Sequence, residues 1–238
     1  MDIAVRVSAK QCAFALALIV AGLVAASIGA SFLSLAPIED PFLRDLRESV
    51  VRLAWVDGEA NIPAWYSSSL LLLCALLLAT IGTAERNFRG EPVIRWLVLS
   101  LIFGFLSLDE TAQLHELSIQ PLRDMLATSG FFYYGWIIPA AICVALFVLG
   151  YLGFLARLPA RTRRLFVVAG AVFVAGAIGV EAISGKHASL HGEQDLTYHL
   201  IITVEELLEM GGIVIFIYAL LDYIGHRFTR VGFDLSSR

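Results

Sequence analysis

The sequence predicts an all-α polytopic membrane protein, one integral membrane domain over residues 1–238 built as a bundle of six transmembrane helices, and three observations carry that expectation. Of the 238 residues, 58% are apolar and 16% charged, with a mean hydropathy of +0.79; soluble domains run at roughly 45–50% and about 25%. Six stretches approach the roughly 20 apolar residues that a helix needs to cross a bilayer: 13–35, 64–82, 96–116, 131–155, 165–183 and 196–221. The basic residues are also divided unevenly between the segments that join those stretches. The composition excludes a disordered chain, a collagen and a disulfide scaffold, and a formal charge of −4 offers no basic field for nucleic acid.

Arg6 and Lys10 precede the first stretch, and Ala25, Ala26 and Ala30 lie near its end, as in a signal peptide. An apolar run of about 23 residues exceeds the roughly 7–15 of a signal core, so an uncleaved helix is expected. After it, Asp40 and Pro41 read as a helix N-cap and first-turn proline, and Phe42, Leu46, Val50 and Leu53 recur at helical spacing. They predict a short amphipathic helix in the first outer loop, either lidding the bundle or merely packing on it. The third and sixth stretches reach spanning length only by including charged residues. Ala171, Ala175 and Gly179 form a small-residue stripe in the fifth that predicts close helix packing. Cys12, Cys74 and Cys143 lie in apolar stretches and imply neither a disulfide framework nor a thiolate site.

Orientation follows from Lys and Arg. With the N-terminus inside, cytoplasmic segments hold Arg6, Lys10, Arg86, Arg89, Arg95, Arg157, Arg161, Arg163, Arg164, Arg227, Arg230 and Arg238, which is 12 of the 17 basic residues. Both termini are therefore expected to be cytoplasmic. Trp65, Trp96 and Trp136 fall near the helix ends, where interfacial aromatics belong. A bacterial inner membrane is the expected location.

Ionisable residues inside a spanning helix cost about 2.5–3.5 kcal/mol each at its centre, so they mark function or internal pairing. The third stretch carries Ser107, Asp109, Glu110, Gln113, His115 and Glu116; the fifth ends in Glu181; the sixth carries His199, Glu205, Glu206 and Glu209. At 1.5 Å per residue, Asp109, Glu110, Glu181, Glu205, Glu206 and Glu209 all come at about 18–24 Å from the cytoplasmic edge, one layer supplied by three helices. So many carboxylates cannot all stay ionised there without cations or shared protons. Ahead of the sixth stretch, His187, His191, Asp195 and His199 recur at every fourth position, a spacing with which two histidines of one helix can grip a metal, although Gly185 and Gly192 interrupt the row. Ordinary loop histidines are the plainer reading of His187 and His191, and His226 beside Arg227 reads as helix-end or headgroup chemistry. No phosphate loop, nucleophile elbow, HExxH or Glu-x-x-His is present.

The third-stretch SLDETAQLHE and the sixth-stretch VEELLEMGG resemble a pattern in uncharacterised bacterial multi-pass membrane proteins, in which LDE is followed by HE and later by EExxE. A looser similarity is to alkaline ceramidase-like membrane hydrolases, which gather a serine, acids and histidines around zinc; Ser107, Asp109, His115, His187 and His191 match those residue types. The six stretches here differ from the seven helices typical of those hydrolases, as does the histidine spacing, so that activity is not carried over.

The expectation is an acidic and histidine cavity near the outer face that binds one or two divalent metal ions (Zn, Mn or Fe) and acts on a lipid-phase or quinone-like substrate, as a hydrolase or oxidoreductase. Asp109, His115, Glu116, His199, Glu206 and Glu209 are the candidate ligands, and Glu110, Glu181 and Glu205 the candidate catalytic or proton-transfer groups. The alternative is a proton- or cation-coupled transporter or channel, or an accessory subunit of a membrane complex. Membrane lipids are the expected partners, and nucleic acid is not one.

Overall fold

A computed structural model describes residues 8–58, 60–86 and 93–228. Arg6, Arg89, Arg230 and Arg238, which contribute to the charge asymmetry, lie outside the described residues. The described chain is helical without strands: α1 (Ala9–Ser34), α2 (Pro41–Ala54), α3 (Ile62–Arg86), α4 (Val93–Ala112), α5 (Glu116–Leu126), α6 (Ile137–Arg157), α7 (Ala160–Val174), a π turn (Ala175–Val180), α8 (Glu181–His191) and α9 (Leu196–Arg227).

Four helical stretches are long and apolar enough to cross a membrane: Ala9–Ser34, Ile62–Arg86, Ile137–Arg157 and the continuous run Ala160–His191. The other two long helices, α4 and α9, carry the acids of the buried layer other than Glu181. Large apolar side chains point away from the bundle, among them Leu101, Leu146 and Leu149, each about two-thirds exposed or more. Water does not favour such a surface, and hydrocarbon does.

The core forms around α9, which packs on α1, α3 and α7. Ile217 and Leu220 of α9 meet Cys74, Leu78 and Ile81 of α3 and Trp96 of α4 in one cluster, all fully buried. Two adjacent glycines of α9 differ sharply. A Cβ on Gly212 would lie 2.8 Å from the Phe173 backbone nitrogen of α7, whereas one on Gly211 would meet nothing within 4 Å. Gly212→Ala is therefore expected to lower the melting temperature by forcing α7 from α9. Gly211→Ala should raise stability by about 0.5–1 kcal/mol, the gain in helix propensity alone. Thermal melts of the two variants in detergent check both signs.

Several boundaries differ from the sequence reading. The 96–116 stretch is not one helix: α4 stops at Ala112, Gln113 adopts a left-handed φ of 50°, and α5 starts at Glu116. The 131–155 stretch becomes helical only at Ile137, after a short turn. The 165–183 stretch extends from Ala160 to His191 through the π turn. That extra turn changes the packing face. Ala171, Ala175 and Gly179 are exposed and Gly179 has open space around it, so the predicted stripe is not the contact; Gly176 is. The amphipathic segment does form α2, with Asp40 capping Leu43 N–H at 3.0 Å and Pro41 in the first turn.

Candidate functional site

The acids gather at one end of the bundle. Asp109 and Glu110 occupy the last turn of α4, Glu181 opens α8, and Glu205, Glu206 and Glu209 lie in the N-terminal half of α9. The π turn before Glu181 presses directly on α9. A Cβ on Gly176 would meet the Glu205 carbonyl oxygen at 2.8 Å and Glu209 Cγ at 2.9 Å, so only glycine admits this approach. Single π turns occur frequently at functional sites, where they redirect the residues that follow.

Neutral donors hold several of these carboxylates. The Trp136 indole N–H donates to Glu181 Oε1 at 2.6 Å, and the Ser184 hydroxyl donates to Glu205 Oε2 at 3.2 Å. Glu110 interacts with the buried Ser67 hydroxyl of α3. Asp109 folds the chain back on itself: Oδ1 accepts the His115 backbone N–H at 2.9 Å, and Oδ2 pairs with His115 Nδ1 at 2.8 Å. The His115 ring then lies 4.9 Å from that of Trp136, linking the α4 end to Glu181. Glu116 sits in the first turn of α5, within electrostatic reach of His115 and Asp57.

The remaining interactions run from acid to acid. Glu209 feels the charges of Glu110, Glu181 and Asp57; Glu206 feels those of Glu209, Glu110, Asp57 and Glu205. Among the described residues, no Lys or Arg ion pair reaches any of them. Glu206 and Glu209 are only partly covered by the neighbouring helices.

Asp57 is a member that the sequence reading missed. It lies in the turn joining α2 to α3, which is pinned where the Val56 N–H donates to Ser27 Oγ of α1 at 3.2 Å and Val56 inserts into the core. Its side chain is reached by water yet surrounded by protein at the mouth of the acidic layer. Burial, with the charges of Glu116 and Glu193, pushes its carboxyl up to about 7, against an opposing hydrogen bond from the Trp55 indole. The folded protein thus holds this proton more tightly than the unfolded chain does, and the group's effect on stability grows less favourable as pH rises from about 4 to about 7. Asp57→Asn is expected to melt with the wild type at pH 4 and progressively above it from pH 5 to pH 8. Melting curves across that range test it.

His199 does not join this layer. It is 8% exposed, stands edge-on to Trp55 with ring centroids 3.9 Å apart, and among the described residues its Nδ1 has no hydrogen-bond partner. His187 and His191 stack on each other on α8, which ends before Gly192 at a φ of 85°. The every-fourth-residue row is therefore broken, and Asp195 instead caps α9 while pairing with His187 Nε2 at 2.9 and 3.0 Å. Ser107 is fixed in α3–α4 packing through Ser68, the two hydroxyls 3.0 Å apart. Among the described residues, no three His, Cys, Asp or Glu side chains converge on a point as one metal ion requires. What assembles is a dispersed carboxylate layer from the α2–α3 turn, α4, α8 and α9, with the Asp109–His115 pair at its edge.

Residues 12–224 match the model of a family described as a domain of unknown function, DUF8692. No curated protein and no solved structure matches the chain.

Proposed function

We propose, from the premise that the chain belongs to the DUF8692 family, that it is a six-span inner-membrane protein whose carboxylate chamber, near the outer face, exchanges protons for cations. In this reading α4 and α9 complete the set of spans, both termini are cytoplasmic, and α2 lies on the outer surface over the chamber mouth. One observation supports the reading above the rest: the leading charge neighbours of Glu205, Glu206 and Glu209 are other acids, Glu110, Glu181 and Asp57 among them, and no Lys or Arg ion pair reaches these carboxylates among the described residues, where His115 is the basic group beside Glu110 and Glu181. A layer of that kind is neutral only if it holds protons or cations, and each cation entering displaces protons. Such coupling is what a proton-linked transporter or channel requires.

Metal-dependent conversion of a lipid-phase or quinone-like substrate by Zn, Mn or Fe would need at least three of Asp109, His115, Glu116, His199, Glu206 and Glu209 to meet at one ion. Their placement along α4, α5 with its N-cap, and α9, with His199 against Trp55 and His115 against Asp109, favours proton exchange over that chemistry. The test is a titration of detergent-purified protein with Mn²⁺, Zn²⁺ and Na⁺ in weak buffer with a pH-sensitive dye. Proton release on addition of at least one cation is expected, saturating and reduced in Glu206→Gln. Absence of release with all three would sink the proposal.

A further inference from the structure

Beside the acidic layer, two tyrosines from distant parts of the chain meet. Tyr198 stands in the first turn of α9 and is 6% exposed. Asp195 fixes that turn, accepting the Tyr198 backbone N–H at 2.7 Å while it pairs with His187 of α8. Tyr134 comes from the turn before α6. It lies directly on α8, where a Cβ on Gly185 would meet Tyr134 Cδ2 at 3.1 Å, and Arg123 holds the same turn by donating Nε to the Tyr133 carbonyl oxygen at 2.9 Å. These placements bring the two phenol oxygens to 2.8 Å. Tyr134 also donates to Oε1 of Glu193, an exposed residue of the turn between α8 and α9, at 3.1 Å.

Counting protons fixes the direction of this chain. A phenol has one O–H to donate, and an ionised carboxylate can only accept. Tyr134 gives its proton to Glu193, so the 2.8 Å contact is left for the Tyr198 hydroxyl to donate. Both O–H bonds therefore point outward, from a buried phenol through a half-buried one to a carboxylate in water. At the inner end, Asp57 and Glu205 of the acidic layer are charge neighbours of Tyr198. Phenylalanine would fill the Tyr198 position without the cost of burying a hydroxyl, so packing alone does not ask for tyrosine there.

We propose that Tyr198, Tyr134 and Glu193 form the path by which protons leave the carboxylate layer for the outer solution. This inference rests on the proton-exchange reading above. When a cation enters, the Tyr134 O–H bond breaks as its proton passes to the Glu193 carboxylate, Tyr198 reprotonates Tyr134, and Asp57 or Glu205 reprotonates Tyr198 through water. One carboxyl of the layer becomes a carboxylate, and exposed Glu193 hands the proton to solvent. Both phenols end neutral, and rotation of their hydroxyls restores the starting order.

The test is exchange of carboxyl protons for deuterium in the full-length protein in detergent, read as the shift of the protonated-carboxyl C=O infrared band after rapid mixing into D2O near neutral pH. Tyr198→Phe and Tyr134→Phe should each slow the shift by about a hundredfold, the lower end of what a positioned proton carrier contributes. The amplitude of the band should stay that of the wild type. Tyr133→Phe, whose ring stands beside Tyr134 outside the chain, should exchange at the wild-type rate. A purely structural pair of tyrosines predicts the opposite sign, because removing a hydroxyl loosens the corner and admits water. Exchange as fast as the wild type or faster in both variants overturns the path and leaves the proton-exchange reading standing. Absence of the band in the wild type overturns both. If one variant does not fold, the rate in the other decides.

Discussion

Arg227→Met is expected to destabilise the protein by about 3 kcal/mol, because it strands a carboxylate that has no other cation among the described residues. The Glu85 side chain is fully buried, and Arg227 and the Tyr223 hydroxyl are the groups that bond it; Arg227 itself is about half exposed. The two members of the pair are thus unequal. Without Arg227, Glu85 stays covered and charged, whereas without the Glu85 charge Arg227 can turn to water. Glu85→Gln should therefore cost much less, and adding it to Arg227→Met should recover most of the loss. Protonating Glu85 removes the buried charge that Arg227 balances, so the benefit of the pair is lost once acid titrates that carboxyl. The difference between wild type and Arg227→Met should accordingly be large at pH 7 and vanish in strong acid. Thermal melts of the three variants at several pH values measure it.

Glu206→Gln combined with Glu209→Gln is expected to produce the opposite sign. Both residues feel their strongest charge interactions from other acids, and Glu209 also presses against Gly176 of the π turn. Removing two mutually repelling groups from a layer without arginine or lysine partners among the described residues should raise the melting temperature by several degrees at pH 8 and little at pH 5. The same variant should lose cation-dependent proton release. A lower melting temperature at pH 8 would mean that these acids hold a resident cation, and the proton-exchange reading would fail.

Much of this architecture is legible from composition and periodicity. The helical stretches and Asp40–Pro41 of α2 follow from local chemistry, and the depth count along the third, fifth and sixth stretches puts the acids into one layer. Other features depend on contacts between distant residues. The α4 break at Gln113 carries neither glycine nor proline; it is made by Asp109 capturing the His115 N–H, and nothing in the helical spacing marks it. The π turn adds a residue to one helical turn and moves the packing face from Gly179 to Gly176. Asp57 reads as an ordinary turn residue until Val56 anchors that turn to Ser27. Trp136 likewise reads as an interfacial aromatic, although its N–H holds Glu181. Conversely, the His187-to-His199 row is regular in sequence and is broken in space by Gly192.

The most direct test of the central claim is labelling with dicyclohexylcarbodiimide, an apolar reagent that adds to protonated carboxyl groups in low-dielectric surroundings. If the chamber holds exchangeable protons, wild-type protein at pH 7 should carry the adduct on the α9 peptide containing Glu205, Glu206 and Glu209, as read by mass spectrometry. Labelling should fall when a cation that releases protons is added, and it should be reduced in Glu206→Gln. An unmodified α9 peptide, with exposed acids elsewhere labelled or not, would show that these carboxylates are not protonated and would contradict the account.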